Sequence, residues 1–177
     1  MAGPAGVPVW DRLVRLTHWA VAGLVLFDYF GDDSGGPLHR NLGYLAAALV
    51  LLRLAWAGVA PGAARFADWW PTPSRLRAHL VALRAGRPER RLGHNPLGAL
   101  MMLALWALIL ALALTGWLSR LDAFWGDDGI RALHAALAHA LVLLAGVHVA
   151  AVLAMSRLHG ENLVAAMLSG RKRAPPP

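Results

Sequence analysis

Eight histidines and no cysteine set the metal-binding chemistry open to this chain. Three of them, His134, His139 and His148, lie in LHAALAHALVLLAGVHV (133–149), a run otherwise made of Leu, Ala, Val and Gly. Ionisable side chains inside a long apolar run are rare and tend to mark function. His134 and His148 are 14 residues apart. At 100° per residue that spacing returns within about 40° of the same helix face, with about 21 Å between the two along the axis. His139 is rotated by about 140° from His134 and faces elsewhere. Two in-line imidazoles near opposite sides of a hydrocarbon core about 30 Å thick predict ligands for two stacked cofactors.

Such ligands need membrane helices to hold them. The chain has 177 residues, is 58% hydrophobic and has a mean hydropathy of +0.49, too apolar for an ordinary soluble domain of its size. A spanning helix takes about 20 mainly apolar residues. Four stretches reach that length: 14–30, 38–59, 96–118 and 130–155. The first is interrupted by His18 and Asp28, and no small-residue cleavage site of a signal peptide follows it. The expected fold class is all-α, an integral membrane four-helix bundle forming one membrane domain over 1–177. Without cysteine there are no disulfides, no Cys-ligated iron–sulfur clusters and no c-type haem attachment.

A net charge of +7 could suggest nucleic acid, but its distribution argues for topology instead. Four spans put the N-terminus, the 60–95 loop and the C-terminal tail on one side, with net charge +10, and leave −3 on the other. The positive-inside rule then places both termini and the basic loop in the cytoplasm. Within that loop, Trp69 and Trp70 read as interfacial aromatics, and about 73–86 as an amphipathic helix on the anionic inner surface. FGDDSGGP (30–37) reads as a short turn between antiparallel neighbours. ENLVAAMLSG (161–170) reads as a short helix before a solvated RKRAPPP tail.

This topology sorts the histidines by depth. His39 and His134 share the outer level, and His18 and His148 share the inner level. Bis-imidazole ligation suits a low-spin haem that carries electrons, because no axial position remains for oxygen. Taken singly, a histidine at a helix end also serves by bonding water among the headgroups. Four agreeing in pairs by depth favour ligation, with two haems between the helices. Haem carboxylates prefer cationic partners, and Arg12, Arg15 and Arg53 stand at the inner level, Arg40 at the outer. Arg53 reads equally as a snorkelling side chain. His139 reads as a bundle histidine bonding across helices. His79, His94 and His159 read as solvated or capping, with His94 alternatively against a haem propionate or quinone. Gly23, Gly43 and Gly146 permit either close cofactor approach or direct helix packing.

VWDRLVRLTHW (9–19), LHRNLGYLAAALVLLRLAW (38–56), GHNPLGALMML (93–103), LHAALAHALVLLAGVHV (133–149) and SRLHGENLVAAMLSGRKR (156–173) together resemble the bacterial cytochrome b-561 family. That family is related to the cytochrome b subunits of nickel–iron hydrogenases. The resemblance implies a four-helix inner-membrane cytochrome with two non-covalent b haems. Its ligand pattern falls on His18, His39, His134 and His148, and His139 lies outside it. It also implies quinone as the partner within the membrane and a periplasmic cytochrome or redox enzyme at the outer haem.

The function expected is electron transfer across the inner membrane, with no role for nucleic acid. Two alternatives accompany it. A stand-alone superoxide:quinone oxidoreductase, similar to members of the same family, would need no protein partner. A histidine-relay proton or metal transporter would need no matched depths and would give colourless protein.

Overall fold

The computed structural model describes residues 6–31, 35–86 and 90–174. Four long helices dominate it: α1 (Arg12–Gly31), α2 (Pro37–Val59), α5 (Pro96–Leu118) and α6 (Asp128–His159). Between α2 and α5 lie the short α3 (Phe66–Trp69) and the longer α4 (Pro73–Arg84), and α7 (Leu163–Ser169) follows α6. The four expected spans and the amphipathic segment are therefore present as helices. At about 1.5 Å per residue, the 32 residues of α6 outrun the bilayer core. Asp32, Asp33, Glu89 and Arg87, which entered the charge balance, lie outside the described residues, as does the 175–177 end of the tail.

Local sequence sets the helix ends. Pro occupies the first turn of α2, α4 and α5, where its missing N–H costs nothing. Asp11 Oδ1 accepts from Val14 N at 2.8 Å to open α1, and Asp127 accepts from Gly129 N and Ile130 N to open α6. Gly160 and Gly170 close α6 and α7 in the left-handed conformation that glycine adopts without strain.

α1 packs on α2, α2 on α5, and α5 on α6. Neither α1 nor α2 packs on α6 as closely, so one seam of the bundle is loose. The core at mid-height is apolar: Ala46, Ala47 and Val50 from α2 meet Ile109 of α5 and Leu141 of α6. Outward faces stay apolar as well, Leu143 being 72% exposed and Val149 56%, as a lipid-facing surface requires.

Three expectations are corrected here. Trp69 is not interfacial: it is 3% exposed, packs with Ala57 and Ala99, and its indole N–H donates to the Ala64 carbonyl at 3.3 Å. Trp70, the other member of the pair, is exposed. His79 is not solvated but buried. The start of the tail is not free, because Arg171–Lys172 pairs antiparallel with Val7–Pro8, and Lys172 Nζ donates to the Arg91 carbonyl. These two-residue strands are the sole β pairing among the described residues. They tie both ends of the chain to one end of the bundle.

Candidate functional site

Two imidazole pairs bridge the loose seam. His18 of α1 faces His148 of α6 at the end carrying the termini, with ring centres 6.3 Å apart and planes at 58°. His39 of α2 faces His134 of α6 at the opposite end, with centres 6.0 Å apart and planes at 72°. A metal–imidazole nitrogen bond is about 2.0–2.1 Å and that nitrogen lies about 1.1 Å from its ring centre, so two rings sharing one metal stand about 6.3 Å apart. Both separations fit. Among the described residues no three His, Asp or Glu side chains gather to hold a metal ion alone. Two imidazoles suit instead an iron whose other four ligands come from a porphyrin.

In the pair at the far end, His134 has a hydroxyl partner that sets its tautomer. The Thr115 hydroxyl of α5 donates its one proton back to the Ala111 carbonyl at 2.9 Å. Its oxygen is therefore the acceptor for His134 Nδ1–H at 2.8 Å. Behind the other ring, the Asp28 carboxylate stands 3.0 Å from His39 Nδ1 as an ion-pair contact, not aligned as a hydrogen bond. With Thr115 accepting, His134 carries its proton on Nδ1 and keeps the Nε2 lone pair for a metal. Gly116 of α5 faces the His134 ring, where a Cβ would lie 3.4 Å from Cε1, an ordinary van der Waals contact.

The pair at the termini end is bedded differently. His18 meets Trp19 edge-on at 5.1 Å. Near it lies a cluster in which the His94 ring, tilted to both, packs 4.7 Å from Trp10 and 5.8 Å from Trp69, and Trp69 meets Trp106 at 6.4 Å. His94, read as solvated or capping or alternatively against a haem propionate or quinone, is thus not solvated. Its Nδ1 is enclosed without a hydrogen-bond partner among the described residues. Burial, then the charges of Arg53 and Lys172, push its imidazole down to about 3, so it is neutral. With Trp69 and Arg91 it lines a cavity of about 240 Å³.

The arginines occupy distinct settings. Arg53 is buried, with its guanidinium carbon 5.7 Å from the Trp106 ring centre and both terminal nitrogens 3.5 Å from the Ala64 carbonyl. Arg15 donates to the Leu168 carbonyl at the end of α7. Arg12 is exposed and Arg40 half-buried. His139 bonds across helices as expected, its Nδ1 lying 2.6 Å from the Tyr29 hydroxyl of α1.

A family profile described as prokaryotic cytochrome b561 matches residues 9–170. The chain belongs to the prokaryotic cytochrome b561 family. No curated protein and no solved structure matches it significantly. Cytochromes of this family are di-haem four-helix membrane proteins, and membership makes the chain a multi-pass b-type cytochrome that carries electrons. Three residues of this cytochrome were not singled out as site residues from sequence: Thr115, Gly116 and Asp28. Asp28 did carry a signal, being a carboxylate inside an apolar span. Thr115 carried a weaker one, as a hydroxyl in α5 near the depth of His134.

Proposed function

We propose that the chain holds two b haems, one between His18 and His148 at the inner level and one between His39 and His134 at the outer level. It passes electrons between them across the bacterial inner membrane, connecting the quinone pool with a periplasmic redox partner. The observation that carries this reading is the pair of imidazole bridges across the loosest seam, at 6.3 and 6.0 Å. When bound, haem supplies one-electron chemistry at its iron. The chain's own part is to present four imidazoles, with Thr115 holding His134 in the ligating tautomer and the Asp28 carboxylate beside His39.

Arg12, Arg15 and Arg53 are the cationic partners for the inner haem carboxylates, and Arg40 for the outer ones. Buried Arg53 offers the least hydrated of these charges. His94 and its cavity lie at the inner level, where quinone would exchange electrons. The +10 and −3 ends support cytoplasmic termini and an acidic periplasmic face suited to a basic soluble partner.

The test is an optical spectrum of detergent-purified protein, oxidised and reduced, with haem counted per chain. Two low-spin b haems are expected. His18→Ala or His148→Ala should lose the inner haem alone, and His39→Ala or His134→Ala the outer alone. Retention of both haems in any of these variants would break the pairing. Colourless protein made with ample haem would overturn the electron-transfer reading.

A further inference from the structure

The two ligand pairs differ in a way that ligation alone does not require. A carboxylate stands behind one outer imidazole, and among the described residues none stands behind either inner one. Asp28 is set within an apolar helix, where a charge is costly unless it has a partner. Its side chain is 18% exposed, so it does not simply face solvent.

Its aim is fixed by its neighbour. Successive helical residues point about 100° apart. Tyr29 reaches α6, its hydroxyl 2.6 Å from His139 Nδ1, while Asp28 reaches α2 at His39. The tyrosine bond pins the rotation of α1 across the loose seam, and that rotation delivers the carboxylate to His39. A negative charge 3.0 Å from Nδ1 favours positive charge on the imidazole and so raises the basicity of the ligating Nε2. A more basic axial ligand stabilises oxidised over reduced iron.

We propose that Asp28 is a positioning residue that polarises His39 and holds the outer haem at a lower midpoint potential than a neutral partner would. The inner haem, with no such carboxylate among the described residues, is the internal reference. The inference rests on the di-haem reading above, and the experiment separates the two.

Optical redox titrations would compare the wild-type protein with Asp28→Asn and Asp28→Glu, using His39→Leu to assign the inner signal. In Asp28→Asn the outer haem's reduced-to-oxidised ratio at a fixed ambient potential should rise at least tenfold, about 59 mV for a one-electron couple. The inner ratio should stay within twofold. Asp28→Glu, which keeps the charge, should return the outer ratio to within threefold of wild type. Low-spin resonance of the outer haem should shift in Asp28→Asn alone.

An outer ratio within twofold of wild type in loaded Asp28→Asn would overturn the proposal. So would equal shifts of both haems, or a Glu variant that behaves like the Asn one. If Asn empties the outer site, Asp28→Glu decides: it must load haem and stay within that threefold range. Wild-type protein without haem would indict the di-haem reading instead.

Discussion

Thr115→Val tests whether the outer site depends on a single hydroxyl. The substitution keeps the branched shape on α5 and removes the oxygen that accepts from His134 Nδ1 at 2.8 Å. Thr115 is 6% exposed, so bulk water does not replace it. A buried donor left without its partner costs about 1–3 kcal/mol, or roughly 5- to 150-fold in an equilibrium constant. The loss of a group that orients a metal-bound histidine falls in the same range, about 10- to 100-fold in affinity. The ring also becomes free to rotate or to move its proton to Nε2, which removes the lone pair that ligates. The assay is haem transfer from detergent-solubilised protein to excess apomyoglobin. The outer haem should leave at least fivefold faster, and the inner haem at the wild-type rate. Thr115→Ser, which keeps the hydroxyl, should restore most of the difference. Outer loss within twofold of wild type, or equal acceleration of both haems, would refute the role given to this hydroxyl.

Two further outcomes follow from residues at the termini end. Trp69→Ala should lower stability by about 3–5 kcal/mol, as for a large aromatic removed from a core, because Trp69 fills the space between Ala57 and Ala99. Thermal unfolding followed by circular dichroism would show this, and a shift like that of exposed Trp70→Ala would contradict it. Glu161 gives a pH dependence. Desolvation alone would raise its carboxyl, but the Arg90 guanidinium at 3.0 Å and the Arg173 amide at 2.7 Å hold it below the usual range. Its contribution is therefore complete above the unfolded-state value near 4.5 and is lost as pH falls through the lower folded value. Glu161→Gln should cost about 2 kcal/mol at pH 7. A destabilisation that stays constant from pH 7 down to pH 3 would count against this linkage.

The spans were legible because lipid demands long apolar runs, and 96–118 reads to the residue as α5. The four facing histidines were legible because depth follows from topology alone. Rotation about a helix axis was not. α5 is apolar on every face, so nothing in its sequence says that Thr115 and Gly116 point at α6. Asp28 was recoverable in principle, since matching depths across the short turn after α1 sets it beside His39. Trp69 misled because an indole near a headgroup boundary suits either the interface or a core. Only the fold of residues 60–72 over α2 and α5 decides between them. The clasp of Val7–Pro8 on Arg171–Lys172 joins residues 163 and 165 positions apart and leaves no periodic trace in sequence.

Leu141 stands seven residues from each of His134 and His148, and it is buried in the apolar layer with Ala46, Ala47, Val50 and Ile109. Among the described residues, the five side chains of that layer are all apolar. On the proposed function an electron that crosses this layer moves charge along the membrane normal. A centre-to-centre step of about 21 Å in a core about 30 Å thick traverses about 0.7 of the membrane voltage. At about 2.3 kcal/mol per charge per 100 mV, each electron exchanges about 1.6 kcal/mol with every 100 mV of that voltage. Outward flow is favoured by an interior-negative membrane and inward flow opposed. Turnover in sealed vesicles is thereby voltage-sensitive, in a direction that reports which way the electrons travel.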